Sequence, residues 1–277
     1  MKTLINGCTI YYEIFGSSQA TDTIFFIHGG PGLGDCRGDI LTFKVLQEHY
    51  RLVFLDMRGS GRSEDVPPYT HRQWIEDIDE LRKKLGIEKI ILHGSSYGGF
   101  IVQEYAIAFP EHTKKIVLNV TAPDNEHHET AIANALESGK TNVTKDELER
   151  LFNGEVNSNE DFKTLYRRIL PLYKLAQIYF HYDTHNAAFH ENLKNFDVKD
   201  RLPEISAPAL VVAGKHDWII PAKYSRQIAE LIPHSIFVLF ENYGHSLVRE
   251  QGEVYKSILR QFLNDELTEK AIVVDVP

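Results

Sequence analysis

The chain has 277 residues, 43% of them hydrophobic. That is enough for a large core and fits an α/β domain carrying an insertion. Its formal charge of −9 argues against nucleic acid or anionic membrane as partners, because a polyanion-binding surface needs clustered cations. Two cysteines, Cys8 and Cys36, are too few for a disulfide scaffold and are not spaced as metal ligands. No apolar run approaches the roughly 18 residues of a membrane span. The stretch from Met1 to Gly7 does not read as a secretory signal, so a cytoplasmic location is expected.

In chain order, Leu4-Ile5 and Thr9 to Tyr12 flank Asn6-Gly7, a tight-turn signal that predicts a hairpin. Unbroken apolar runs follow at Ile24 to Ile27, Leu52 to Leu55, Ile90 to Leu92, Ile116 to Leu118, Leu210 to Val212 and Ile236 to Leu239. Runs of this length suit strands covered on both faces. Thr70 with Gln73 reads as a capping box. Trp74, Ile78, Leu81 and Leu85 then form a helical stripe that Gly86 ends. Tyr255, Ile258, Leu259, Phe262 and Leu263 make another stripe. The alternation predicts a mostly parallel sheet with helices on both faces. It fails between about Pro123 and Asp200, where Thr144 with Glu147 and Ser158 with Asp161 read as helix starts and Pro171 should kink or break a helix. The expected organisation is a core of residues 1–122 and 201–277 with a helical cap at 123–200. Ala271 to Val274 reads as a short edge strand.

Four loops carry chemistry. Gly94-Ser95-Ser96-Tyr97-Gly98 is a G-x-S-x-G turn directly after a strand, with a helix expected from Tyr97 to about Phe109. The glycines allow a sharp turn that holds Ser96 in a strained, exposed conformation. His28-Gly29-Gly30-Pro31-Gly32 follows an early strand and supplies a donor for an oxyanion. The expected pair is the backbone N–H of Gly30, with Gly29 as second choice, and that of Tyr97. His28 is expected to hydrogen-bond within its loop. Asp217 and His245 lie in loops after two later strands, where an open parallel sheet places its ligands. Serine is a poor nucleophile without an adjacent base, and a carboxylate fixes the base's tautomer. Ser96 is therefore the expected nucleophile, His245 the base and Asp217 its orienting acid. No cofactor and no metal is expected: His127, His128, His181, His185 and His190 in the cap show no ligand pattern. Arg58 and Arg62 read as braces of their loop rather than substrate contacts.

With these motifs the sequence resembles the proline iminopeptidase branch of the α/β-hydrolase fold. The carriers are His28 to Gly32, Asp56-Met57-Arg58-Gly59-Ser60-Gly61-Arg62-Ser63, the elbow Gly94 to Gly99, and Asp217 and His245 with their flanks. The resemblance covers roughly residues 1–122 and 201–265. It implies a serine hydrolase acting on a small molecule or short peptide, with a cap glutamate that binds the substrate's free amine. Asn186 stands where that glutamate falls, and Glu191 is the nearest acid, so these two are the expected substrate contacts in the cap. The alternatives are a carboxylesterase or lactonase acting on neutral esters, and a non-catalytic ligand receptor of the same fold. The oligomeric state stays open.

Overall fold

The computed structural model describes residues 1–173 and 177–276. A hairpin opens the chain, β1 (Lys2–Ile5) and β2 (Cys8–Phe15), turning through Asn6 and Gly7, both at positive φ. Then come β3 (Thr23–Ile27), α1 (Arg37–Phe43), β4 (Arg51–Leu55), α2 (His71–Lys84), β5 (Ile90–Ser95), α3 (Tyr97–Ala108) and β6 (Thr113–Asn119). An inserted helical stretch follows, with α4 (His127–Glu137), α5 (Lys145–Phe152), α6 (Asn159–Tyr173), α7 (Tyr182–Asn186) and a π-helix, Ala187–Asn192. The chain returns through β7 (Ala209–Gly214), α8 (Ala222–Leu231), β8 (Ser235–Phe240), α9 (Leu247–Glu250), α10 (Gly252–Leu263) and β9 (Ala271–Val274).

The nine strands form one sheet in the order β1-β2-β4-β3-β5-β6-β7-β8-β9. Only the β1/β2 and β2/β4 pairings are antiparallel. All six apolar runs are strands, and the period of two sorts their side chains. Phe25 and Ile27 of β3 and Val211 and Ala213 of β7 enter the core beneath α2, α3 and α8. Ile24, Phe26, Leu210 and Val212 enter the opposite layer, with Phe43, Tyr255, Leu259 and Phe262. Both layers exclude water, which is why the runs are unbroken rather than alternating. The helices of the insertion join the first layer: Ala131, Leu148 and Phe162 belong to the same apolar cluster as the sheet.

Two helix signals differ in detail from the reading. The Gln73 N–H donates to Thr70 Oγ1 at 3.1 Å, but the Gln73 side chain donates to Asp77 instead of reaching back, so half the box forms. The second difference is at Pro171, which does not break α6; the helix runs through it to Tyr173. Proline lacks one backbone donor, and the rest of the ladder keeps the helix continuous through to Tyr173.

Candidate active site

Strand ends gather the site. The turn from β5 into α3 places Ser96 at φ 53° and ψ −119°, a strained conformation for a residue with a side chain. The Ser96 N–H donates to the carbonyl of Asn119 on β6 at 2.8 Å, which fixes the turn to its neighbour strand. The elbow also needs close packing against β3: a Cβ at Gly98 would run into the carbonyl oxygen of Ile27.

His245 and Asp217 arrive on the loops after β8 and β7. His245 Nδ1 lies 2.7 Å from Asp217 Oδ2, and His245 Nε2 lies 3.0 Å from Ser96 Oγ. The other Asp217 oxygen, Oδ1, accepts the backbone N–H groups of Ile219 and Ile220 at 2.9 and 3.0 Å. The Asp217 side chain is fully buried. Held by these backbone donors, the Asp217 carboxylate orients the His245 ring with Nδ1 toward Oδ2 and Nε2 toward Ser96.

Gly29, Gly30 and Tyr97 line the same cavity as Ser96. Tyr97 heads α3, so its N–H has no acceptor within the helix. Gly29 approaches the elbow closely: a Cβ there would lie 2.8 Å from the carbonyl oxygen of Ser95 and 3.0 Å from Ser96 Cβ. The loop is held from behind by the segment after β4. Met57 N–H donates to His28 Nε2 at 3.0 Å, Gly32 N–H to Ser60 Oγ at 2.9 Å and Cys36 N–H to Asp56 Oδ1 at 2.8 Å. Asp56 in turn receives Arg62 from both backbone and side chain, at 2.9 and 2.8 Å. Burial raises the Asp56 pKa, but Arg62, nearby His28 and the backbone donors outweigh it and hold the carboxyl below its ordinary range. Arg58 pairs with Asp77 at 2.7 Å, both buried, and donates to the carbonyls of Val66 and Asn6. These contacts explain why the two glycine-rich segments occur together: one is the scaffold of the other.

The cavity holds about 430 Å³. Its walls are Phe100, Phe152, Phe162, Tyr166, Ile169 and Phe189, with further aliphatic residues. His127 and His185 also face it, and burial pulls their pKa values down to about 3 and about 4, so both are neutral rings. Asn186 and Glu191 do not line it. The Asn186 amide donates to the Val156 carbonyl at 2.7 Å and accepts the Val156 N–H at 3.0 Å, stapling two parts of the insertion. Glu191 is exposed. Two acids do line the cavity, Asp35 and Asp39. Asp35 is paired with Arg37, whereas Asp39 has no ion-pair or hydrogen-bond partner among the described residues. Burial, with Asp35 and Asp56 nearby, pushes the Asp39 pKa up to about 7. No pattern in the sequence marks Asp39; its only signal is position, eleven residues after His28 in the helix that follows the glycine loop. Tyr173 was also unmarked: its ring sits 5.9 Å from that of His245, and its carbonyl accepts the Ser246 hydroxyl at 2.9 Å.

Residues 22–250 match the family described as the α/β hydrolase fold. The chain belongs to that family. A proline iminopeptidase, PfmaB, of Pestalotiopsis fici is 34% identical, over 94% of this chain and 97% of its own. A proline iminopeptidase of Clostridioides difficile is 29% identical, over 93% and 95%. Among solved structures, the enol-lactonase of Burkholderia xenovorans LB400 superposes with a TM-score of 0.73 at 21% identity, covering 95% of this chain and 100% of that one. The likeness to the enol-lactonase speaks for the fold alone. The protein is a serine hydrolase of the proline iminopeptidase-like branch. No helix among the described residues is long and apolar enough to cross a membrane.

Proposed function

We propose that the chain hydrolyses acyl compounds through Ser96, His245 and Asp217, as an aminopeptidase whose substrates carry a free terminal amine. One observation carries this reading: the hydrogen-bonded chain from Asp217 through His245 to Ser96, opening on a largely apolar cavity. Ser96 Oγ attacks the substrate carbonyl while His245 Nε2 takes its proton. The oxyanion meets the N–H groups of Gly30 and Tyr97. His245 then gives its proton to the leaving amine, and a water molecule, activated by the same ring, releases the acyl group. No cofactor enters these steps. Residues 123–200 form the cap that selects the acyl group. Asp39 faces the substrate ammonium, the role expected of Asn186 and Glu191 from the sequence. An ammonium in a largely apolar cavity needs a counter-charge, and its arrival draws the Asp39 pKa back down.

A second reading is an esterase or lactonase for neutral substrates. Its support is the lining itself, which is aromatic, aliphatic or neutral imidazole at most positions.

A fluorophosphonate probe should label Ser96 and fail on Ser96→Ala. Proline p-nitroanilide against its N-acetylated form separates the two readings. The aminopeptidase reading expects strong preference for the free amine, and Asp39→Asn should shrink that preference at least ten-fold. Rapid turnover of neutral esters or lactones with cleavage of neither anilide would establish the second reading instead.

A further inference from the structure

Tyr97 has a second hydrogen-bonding end. Its phenol points away from Ser96 and is buried between core and cap. The hydroxyl lies 2.9 Å from the carbonyl oxygen of Ala188, in the π-helix Ala187–Asn192. It also lies 2.7 Å from His71 Nε2, and His71 Nδ1 lies 3.0 Å from Glu104 Oε1. His71 opens α2, and its own N–H donates to the side chain of Asn192 at 3.2 Å. Asn192 donates in turn to the carbonyls of Tyr69 and Ala187, at 2.8 and 2.9 Å. The same few residues thus tie the elbow helix, α2 and the cap together.

Counting protons decides how the chain is wired. A carbonyl only accepts, so the contact with Ala188 uses the phenol's single proton. Burial, with Glu104 nearby, holds the Tyr97 pKa well above its ordinary value, so that proton stays on the phenol. The phenol oxygen is then left to accept, and His71 Nε2 must donate. An ionised Glu104 carboxylate also only accepts, so toward it Nδ1 donates as well. Donation from both nitrogens is the wiring of an imidazolium facing Glu104. Among the described residues Glu104 pairs with no other cation. The other rings packed against His71 among the described residues, Trp74 from its own helix and Phe196 before β7, carry no charge. When the imidazolium gives one proton to solvent and Glu104 keeps the Nδ1–H, Nε2 becomes an acceptor. The single phenol proton then has two acceptors and can satisfy one.

We propose that His71 is a positioning residue that latches the cap: as an imidazolium it aims the Tyr97 phenol at Ala188, and on losing a proton it competes for that phenol and frees the cap segment. Phe189 and Leu193, which follow Ala188, line the cavity, so release alters the fit of the acyl group more than the chemistry at Ser96. π-Helices are uncommon and cluster at sites of function, and this one carries the latch contact.

The test uses hydrolysis of p-nitrophenyl butyrate, a neutral ester, so it does not depend on the amine-binding reading. KM should rise about five-fold, the worth of one ordinary buried hydrogen bond, along the titration of His71 followed by NMR. Amide exchange of residues 187–196, corrected for its intrinsic base catalysis, should quicken over the same pH range. His71→Gln offers an amide N–H at every pH, and Glu104 is partly open to solvent, so KM should stay low and flat. Tyr97→Phe should give a raised, flat KM. An alkaline KM limb that survives in His71→Gln, or a wild-type KM and exchange rate that ignore the His71 titration, overturns the latch. Should Tyr97→Phe fail to fold, the wild-type and His71→Gln measurements decide alone.

Discussion

The two walls of the cavity are built from different interactions. The strand-end side is polar and saturated. Asp56 accepts four N–H bonds from Cys36 and Arg62, Asp217 holds His245 and two backbone donors, and Arg58 with Asp77 is buried intact. The cap side is assembled chiefly from rings. His185 packs at 4.3 Å from Phe162 and 4.5 Å from Phe189, and His128 lies 5.4 Å from Phe152. Directed bonds fix atoms within tenths of an ångström, whereas ring contacts are non-directional and tolerate repacking. The chemistry proposed at Ser96 needs the first property, and acceptance of different acyl groups would benefit from the second. A substitution on the polar side should therefore act on turnover or on folding as a whole, while one on the ring side should act on fit and on the response to pH.

The largest effect is expected at Asp217. Asp217→Asn places an amide beside His245 Nδ1 and favours the wrong tautomer, so kcat should fall by about 10⁴-fold. The backbone bonds from Ile219 and Ile220 to Oδ1 can persist, so the thermal midpoint should move little. A kcat within ten-fold of wild type would break the assignment of the polar side as the seat of catalysis.

Next comes the ion pair behind the glycine loop. Arg58→Met leaves Asp77 buried without its cation, which should cost about 3–5 kcal/mol of unfolding free energy. Denaturant titration measures it. The double variant Arg58→Met, Asp77→Leu should recover much of that loss, because the cost lies in the orphaned charge rather than in a missing attraction. A single variant as stable as wild type would show that the scaffold role of this segment has been overstated.

The same contrast explains what could be read before any coordinates. On the polar side, function is written in local backbone demands: Gly94 and Gly98 around Ser96, paired glycines after β3, and loops at the ends of unbroken apolar strands. Such demands leave short patterns at fixed spacing. Arg58 and Arg62 read as braces of their loop from the sequence; Arg62 bonds Asp56 within that loop, while Arg58 reaches out to Asp77 on α2. On the cap side, contacts join residues far apart in sequence, and no period announces them. Asn186 stood where a substrate-binding acid was expected, yet its amide bonds both backbone groups of Val156, thirty residues away. Asp39 carried no motif, and only the fold shows that it lines the cavity. The expected cap at 123–200 rests on lost alternation, which does not tell which of its side chains turn inward.

The smallest predicted effect sharpens the contrast through acid. Among the described residues four histidines have pKa values depressed by burial, and three of them, His127, His128 and His185, lie between β6 and β7, at about 3, 4 and 4. The fourth is His93 of β5. An unfolded histidine takes its proton near 6.5, whereas folded His185 takes it only near 4. Between those values the unfolded chain binds more protons than the folded one, so stability rises with pH and is lost as the pH falls. Above about 6.5 the contribution of His185 is fully present. On acidification it is lost at up to about 1.4 kcal/mol per pH unit, or about 3 kcal/mol in all. His185→Phe removes that titration and keeps a ring against Phe162 and Phe189. It also leaves the Leu151 carbonyl without its 2.9 Å partner, which should cost about 1–2 kcal/mol at neutral pH. The two stability curves should therefore cross: the variant is weaker at pH 7 and steadier than wild type near pH 4. Urea unfolding at half-unit pH steps would show the crossing. Parallel curves would mean that His185 titrates as it does in the unfolded chain, and that acid sensitivity does not belong to the ring-packed wall.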